Sequence, residues 1–245
     1  MTITRAAKSA VHRGLRRAGW DLVRHDPANF PELARAELLR AHGIDLVVDV
    51  GANSGVLAAG LRSQGYSGRI VSFEPSSAAF AELAAASVAD PEWTARRLAL
   101  GATAGEVTLN VAGNSSSSSL LPMTSLHVES APESAYVATE TVELATLDSL
   151  REELVRPADR VYLKLDVQGF ELEVIKGAAD VLPQVQVVDT ELSLVPLYEG
   201  APRLQEVVDV LAGHGFVLRS LSPVFVDPET GRLLQVDGLF TRADR

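Results

Sequence analysis

The sequence predicts an α/β fold built on a doubly wound, mostly parallel sheet with helices on both faces. Short apolar runs such as IDLVVDV, which ends at Val50, are typical of strands buried on both faces. Helical patterns alternate with these runs, as βαβ units require. The chain closes with two strand-like runs joined by the turn sequence DPETGR, which indicates a hairpin and an antiparallel strand at the C-terminal end.

The first half of the chain alternates between helix and strand signals. PELARAELLRAH has helical spacing, begins with proline and ends before Gly43, which are ordinary helix boundaries. RIVSF is short, apolar and rich in β-formers, and an alanine-rich segment follows it. The predicted elements are helix 31–42, strand 45–50, helix 56–64, strand 69–73, helix 76–87 and strand 93–100.

The middle of the chain differs from both ends. EVTLNV alternates apolar and polar residues and predicts an antiparallel strand, and NSSSSS (Asn114–Ser119) is a low-complexity loop. The βαβ alternation then resumes. The predicted elements are strands 106–111 and 141–146, a short helix ending at 154, strand 161–166, helix 170–176, strand 185–192, helix 203–214, and strands 216–221 and 233–240.

Length and composition fit one substantial core. The chain has 245 residues, 47% of them hydrophobic, and no cysteine, which excludes disulfides, thiolate metal sites and a cysteine nucleophile. We divide it into an N-terminal helical extension, 1–43, and a catalytic domain, 44–245. No apolar run is long enough to span a membrane, and we expect a cytoplasmic protein.

Charge is distributed unevenly along the chain. The net charge is −10, but residues 1–25 carry a balance of +5, which leaves −15 on the rest. An acidic body repels polyanions, so we expect no nucleic-acid partner. Met1–Gly19 has apolar residues at helical spacing with basic residues between them, which predicts an amphipathic helix. This helix packs on the body or forms a homodimer contact, or it touches an anionic surface.

A glycine-rich turn follows the first predicted strand in VVDVGANSG. Gly51 and Gly55 flank a turn into a helix, where backbone N–H groups are available to a ligand. The spacing is neither the G-x-G-x-x-G of NAD binding nor a P-loop. Asp49 suits a ligand that carries an ammonium group, and Glu74, at the end of the next strand, suits ribose hydroxyls. S-adenosylmethionine (SAM) is a ligand that carries both an ammonium group and a ribose.

Several segments resemble the class I SAM-dependent methyltransferases and, more narrowly, the FkbM family. They span most of residues 45–200: DVGANSG, FEP, LALG with GEVTL, the serine loop NSSSSSL, TLDSL, LKLDVQGFELEVIKGA and ELSLVPLYEG. The resemblance implies a Rossmann-like fold, with a seven-stranded, mostly parallel sheet whose last strand is antiparallel. It also implies SAM as cofactor and methyl transfer, usually to a hydroxyl oxygen of a small-molecule or sugar acceptor.

The resemblance also implies which residues bind the cofactor. The methionine end would meet the glycine turn, the ribose would meet Glu74, and the adenine would lie beside the segment after the third strand. The expected cofactor-binding residues are Asp49, Gly51, Ala52, Asn53, Gly55, Glu74, Ala99, Leu100 and Ser118.

The acceptor side is expected where strands end in acids. Asp166 ends VYLKLD and Glu191 follows VQVVDT, so both should face the ligand edge of a parallel sheet. An alcohol is a poor nucleophile and benefits from a base or a metal. Some sugar O-methyltransferases bind Mg²⁺ through carboxylates at these positions, with a further Asp as proposed base. Gln168 stands there instead and cannot accept a full proton, which favours metal-free chemistry.

Three residues remain candidates for the base: Asp166, Glu191 and His127. Alternatively, the pocket only orients the hydroxyl. Gln168 and Tyr198 are the expected acceptor contacts, and Asp166 with Glu191 would be the ligands if Mg²⁺ bound. A non-enzymatic SAM-binding scaffold is the remaining alternative, against which the two acids argue. Nothing in the sequence identifies the acceptor.

Overall fold

A computed structural model describes residues 5–27 and 29–243 of the chain. Its strands agree with the βαβ pattern of the sequence. They are β1 (Leu46–Val50), β2 (Arg69–Phe73), β3 (Trp93–Arg96), β4 (Ala99–Leu100), β5 (Gly105–Ala112), β6 (Tyr136–Ala145), β7 (Val161–Leu165), β8 (Val185–Ser193), β9 (Phe216–Val226) and β10 (Leu233–Arg242).

Two helices precede the first strand, and the others lie between strands. They are α1 (Arg5–Arg17), α2 (Pro31–Ala41), α3 (Val56–Ser63), α4 (Ser77–Ser87), α5 (Ser125–Ser130), α6 (Arg151–Leu154), α7 (Glu171–Lys176) and α8 (Leu204–Gly213). The short helix α6 follows a 3-10 turn, whose Ser149 backbone N–H donates to the Thr146 hydroxyl. Asp148 accepts from the backbone N–H groups of residues 180 and 181.

The main sheet has seven strands in the order β3-β2-β1-β7-β8-β10-β9. Its first five strands are parallel, and β10 runs antiparallel to both β8 and β9. This confirms the predicted sheet with an antiparallel last strand. Because β1 and β7 are neighbours, Asp49 lies beside Lys164 in register, and Lys164 lies beside Asp189.

One predicted strand is divided between two sheets. Trp93–Arg96 pairs with β2, whereas Ala99–Leu100 pairs with β6 in a second sheet of order β4-β6-β5. The prediction of one strand over 93–100 was wrong because both halves are apolar enough for a strand, and only non-local pairing separates them. The second sheet stands over the ligand edge of the first and carries the serine loop between β5 and α5.

The two faces of the main sheet differ in polarity. One face is aliphatic, with Val48, Val50, Leu163 and Leu165 packed in the larger hydrophobic cluster. The other face carries a buried charged cluster under α2. Arg35 of α2 donates to Asp189 at 2.7 Å and to the Tyr162 hydroxyl at 3.0 Å. A helix that precedes the first strand therefore supplies a cation to the middle of the sheet.

The N-terminal region leaves several apolar side chains exposed. Helix α1 confirms part of the predicted amphipathic helix, although Met1–Thr4 lie outside the described residues. Val11, Trp20, Leu22 and Val23 are exposed. Among the described residues, no helix is both long and apolar enough to cross a membrane. The division at residue 43 stays a prediction.

Candidate functional site

A cavity of about 400 Å³ follows the carboxyl edge of the main sheet. Glu74, after β2, lies on its wall at one end, and Phe225 of β9 lies on its wall at the other. Asp166 and Glu191 come from the strands between, since the order from β2 to β9 passes through β7 and β8. The cavity therefore crosses almost the whole sheet, and its volume lies in the usual range for small-molecule sites, roughly 300–1,000 Å³.

The glycine turn brings the ends of β1 and β7 together. Gly51 has φ of 81°, a left-handed conformation that favours glycine, and a Cβ atom there would lie 1.8 Å from the Asp166 carbonyl oxygen. Only glycine permits this approach. Gly51 and Asn53 line the cavity, and the turn therefore fixes the distance between the two sides of the site.

Glu74 is held in place by backbone donors. The N–H of Asn53 donates to Glu74 Oε2 at 2.8 Å, and the N–H of Ser76 donates to Oε1 at 2.9 Å. Each carboxylate oxygen keeps further acceptor capacity. Burial raises the pKa of Glu74, while the two N–H groups oppose that shift. The result is a fixed, mostly buried acceptor at one end of the cavity.

The serine loop is an ordered wall rather than a loose linker. The Ser119 hydroxyl donates to the Gln168 carbonyl oxygen at 2.7 Å, and Ser118 Oγ accepts from the Ala112 N–H at 3.0 Å. Asn53 Nδ2 donates to Ser115 Oγ at 3.2 Å, which ties the loop to the glycine turn. Ala99, Leu100 and Ser118 all line the cavity. Leu98 and Leu109 add to the apolar wall beside them.

Gln168 bridges the two acids of the acceptor side. Its Nε2 donates to Asp166 Oδ1 and to Glu191 Oε2, each at 2.8 Å. Its Oε1 lies 2.7 Å from the Tyr198 hydroxyl, which fixes which end of the amide faces the acids. Gln235 Nε2 donates to the same Glu191 oxygen at 2.9 Å. One amide therefore supplies both hydrogen bonds that separate the two carboxylates.

The backbone around this amide is held by a buried acid. Gln168 and Gly169 both have left-handed φ, 53° and 97°. Glu171 Oε1 accepts from the N–H groups of Val167 at 3.3 Å and Gly169 at 3.1 Å. Burial raises the pKa of Glu171 to about 7. Glu171 therefore positions Gln168 through the turn rather than by contact with its side chain.

The two bridged acids differ in their surroundings. Burial raises the pKa of both, and the charge of Asp166 raises that of Glu191 further. The Asp166 side chain is 37% exposed and has the Lys164 ammonium 3.9 Å from its Oδ2, which favours the carboxylate. Glu191 is buried, and no ion pair of Glu191 is seen among the described residues. Asp166 is therefore the acid that ionises more readily.

Lys164 is a buried ion-pair partner. Its Nζ lies 3.2 Å from Asp237 and 3.7 Å from Asp189. Burial alone would lower the pKa of this amine, but Asp189, Asp166 and Asp237 outweigh burial and raise it. The amine thus stays charged behind Asp166 and outside the cavity wall.

His127 lines the cavity from α5. Its ring packs on Tyr198 and Phe225, with centroids 5.2 and 5.3 Å apart. Burial lowers the pKa of His127, and Glu133 opposes the shift. Its Nδ1 is sealed from solvent and has no hydrogen-bond partner in the described part of the chain. His127 is therefore a neutral imidazole near pH 7.

Four predicted site residues lie behind the wall. Asp49 points away from Val50 and its Oδ2 accepts from the Ser72 hydroxyl at 3.1 Å, while burial raises its pKa to about 7. The Ala52 N–H donates within the turn to the Phe73 carbonyl. At Gly55 a Cβ atom would clash with Trp93 and Leu83, so only glycine fits there. Tyr198, which was expected to contact the acceptor, does not line the cavity, because it is fully buried behind Gln168.

Sequence reasoning missed Gln235, Val224 and Phe225, which line the far end of the cavity. Gln235 is a polar residue inside the apolar run LLQVDGLF, and that anomaly was the available signal. Val224 and Phe225 carried no signal, because they are ordinary β-formers on a strand that proved longer than its prediction.

The acid pair does not fit a shared Mg²⁺. The Gln168 NH₂ group lies 2.8 Å from both carboxylates and takes the position between them that a bridging cation would need. Mg²⁺ also requires oxygen ligands in near-octahedral geometry. In residues 5–27 and 29–243, no group of three or more His, Asp or Glu side chains is arranged to hold a metal ion.

Comparisons with solved structures found methyltransferases of several kinds. A magnesium protoporphyrin IX methyltransferase from Synechocystis PCC 6803, solved with bound SAH, is 10% identical, with a TM-score of 0.47, and the match covers 99% of this chain and 90% of that one. A precorrin-6y C5,15-methyltransferase from Geobacter metallireducens is 14% identical, with a TM-score of 0.46, and coverage of 87% of each chain. An rRNA methylase from Streptococcus thermophilus is 10% identical, with a TM-score of 0.46, and coverage of 88% and 98%.

A comparison with curated proteins found no match. The family model described as the methyltransferase FkbM domain matches residues 49–218. That range runs from the glycine turn through the serine loop and the Gln168 bridge to the start of β9. The chain therefore belongs to the FkbM methyltransferase family, whose members depend on SAM.

Proposed function

We propose that this protein is an O-methyltransferase that transfers a methyl group from SAM to a hydroxyl of a small-molecule or sugar acceptor by direct displacement. One observation carries the proposal: the cavity joins the fixed carboxylate of Glu74 to the bridged acids Asp166 and Glu191. A donor site and a proton acceptor thus share one continuous space.

The Glu74 end suits the cofactor. Glu74 has acceptor capacity left for two ribose hydroxyls, and the apolar wall at Ala99 and Leu100 suits a planar base. Gly51 and Asn53 line the turn where the amino-acid end of SAM would lie. When bound there, SAM supplies a methyl group on a sulfonium that leaves as a neutral thioether.

Asp166 is the best placed of the three candidate bases. Its Oδ1 is held by Gln168, while Oδ2 has only the distant Lys164 contact and opens to the cavity. It accepts the hydroxyl proton as the oxygen lone pair forms the new bond to carbon. Positioning supplies much of the rate in such a displacement, and Gln168 holds Asp166 and Glu191 in one geometry. Glu191, which ionises less readily, orients the acceptor.

Two experiments test this function. Isothermal titration should detect SAH binding, and SAM or SAH but not NAD should raise the melting temperature by mass action. An acceptor screen with methyl-labelled SAM should then give O-methylated product. Asp166→Asn should lower turnover at least 100-fold with SAH affinity kept, whereas the exposed control Asp209→Asn should change neither. Binding of NAD alone, or full activity of Asp166→Asn, would refute the proposal.

The remaining alternatives have their own tests. Full turnover in excess EDTA is expected, because the Gln168 amide fills the space between the acids. A non-enzymatic SAM-binding scaffold would bind SAH and yield no methylated product from any acceptor. The homodimer through α1 and the cytoplasmic location stay predictions, to be tested by sedimentation and by cell fractionation.

A further inference from the structure

The far end of the cavity has walls that the cofactor does not need. His127 of α5, Glu133 and the β9 residues Val224 and Phe225 form it, and we call these four residues the acceptor wall. In the strand order, β9 is the last strand, separated from β2 by four others. The acceptor wall therefore lies beyond the acid pair as seen from Glu74.

The acceptor wall is a built surface rather than an accidental gap. The Ser130 hydroxyl at the end of α5 donates to Asp227 Oδ2, just after β9, at 2.8 Å. The His127 ring is held between Tyr198 and Phe225. The helix and the hairpin are thus fixed to each other on both sides of the space.

The proton of the neutral His127 ring has a preferred nitrogen. Its Nδ1 is sealed without a partner, whereas Nε2 is the accessible nitrogen of a ring that lines the cavity. Buried N–H groups without a partner are rarer in native structures than under-satisfied acceptors. The proton is therefore assigned to Nε2, where the ring presents a donor to the cavity. In this tautomer His127 cannot take a proton from the acceptor.

The cavity is also acidic. Four carboxylates line it, and among the lining residues that the structure describes there is no Lys or Arg; the four are Glu74, Glu133, Asp166 and Glu191. Lys164 is buried on the other side of Asp166, in contact with Asp237 and Asp189. Like charges in close contact repel strongly at the effective dielectric of a protein surface. A phosphate or carboxylate on the acceptor would meet this repulsion without a compensating cation from the cavity wall.

We propose that the acceptor wall selects a hydroxyl compound without negative charge, either neutral or amine-bearing, which accepts a hydrogen bond from His127 Nε2 and rests an apolar face on Phe225. This proposal rests on the proposed function and deepens it by naming the acceptor class. His127 then becomes a binding residue for the acceptor, and the choice of base narrows to the acid pair.

Three glycosides on one scaffold test the charge rule: 4-nitrophenyl β-glucoside, its 2-amino-2-deoxy analogue and the glucuronide. Saturation-transfer NMR on SAH-loaded protein should show binding of the first two at least tenfold tighter than the glucuronide. Equal or tighter binding of the glucuronide would overturn the proposal. So would binding of none of the three to a protein that binds SAH. Failure of SAH to bind would instead refute the proposed function.

Two further measurements test the role of His127. In ¹⁵N-labelled protein, the His127 signal, assigned by its loss in His127→Asn, should show the Nε2–H tautomer at pH 7. The Nδ1–H tautomer would overturn the assignment. His127→Gln keeps an N–H near the Nε2 position and should bind the glucoside better than His127→Asn does, by about threefold or more, with SAH affinity equal in both. Equal glucoside binding by both variants would contradict a donor at Nε2.

Discussion

Replacing Gln168 by Glu changes one NH₂ group to oxygen at the point where two acids already meet. The amide donates to Asp166 and Glu191, each at 2.8 Å, so the substitution removes two hydrogen bonds to charged groups. Such bonds contribute about 1.5–3 kcal/mol each, so the loss is roughly 3–6 kcal/mol when the new carboxyl is ionised. When the new carboxyl is protonated, its O–H restores one of the two hydrogen bonds and recovers about half of the lost stability.

The pH dependence of this loss has a definite sign. Two neighbouring acids raise the folded pKa of the introduced carboxyl above its unfolded value of about 4.3. The folded variant therefore holds a proton that the unfolded chain releases, and stability falls as pH rises through the raised pKa. Relative to wild type, Gln168→Glu should be destabilised by roughly 1.5–3 kcal/mol at pH 5 and 3–6 kcal/mol at pH 8.

Urea unfolding followed by circular dichroism at pH 5, 6, 7 and 8 measures this difference. Gln205→Glu is the matched control, because Gln205 donates to Asp209 at 2.8 Å on an exposed helix face. It should change the free energy of unfolding by less than about 0.5 kcal/mol at each pH. A Gln168→Glu variant within about 1 kcal/mol of wild type, with no trend in pH, would refute the bridging role of the amide.

Three other predictions follow from the site. Gly51→Ala should destabilise by about 3 kcal/mol or more because its Cβ would meet a backbone oxygen at 1.8 Å, whereas Gly60→Ala, with open space in a helix, should be neutral or stabilising in the same thermal melts. Glu74→Gln should weaken SAH binding at least tenfold by calorimetry, against no change for exposed Glu82→Gln. Burial raises the pKa of Glu171 to about 7, so the folded protein holds a proton that the unfolded chain releases. Between pH 4.5 and 7 the free energy of unfolding of wild type should therefore fall by about 3 kcal/mol relative to that of Glu171→Gln. Parallel curves of unfolding free energy against pH for the two proteins would exclude this.

The elements that sequence predicted well are those whose period and boundaries are local. Arg69–Phe73 and the antiparallel last strand are confirmed, since apolar runs and turn residues carry that information. The division of Trp93–Leu100 between two sheets was not predictable, because either half satisfies the same pattern. Pairing between distant segments decides it.

In the candidate site, too, the sequence predicted residue types but not the contacts between distant segments. Gln168 drew attention because an amide stands where a carboxylate was expected, but two of its three partners are distant in sequence: Tyr198, 30 residues away, and Glu191, 23 residues away. Chain topology alone brings them together. Conversely, Asp49 and Gly55 have the right residue types for a cofactor turn, yet they face the interior. A motif names the residues of a turn without saying which of them face the ligand.

The position of Arg35 distinguishes the boundary of the family match from the boundary of the folded unit. The family match begins at residue 49, yet Arg35, 14 residues earlier, donates to the fully buried Asp189 within that match. A chain that began at residue 49 would keep every cavity-lining residue and leave a buried acid without its closest cation, an expensive loss. The unit that is inherited as a family and the unit that folds therefore need not coincide, and we expect α2 to belong to the second.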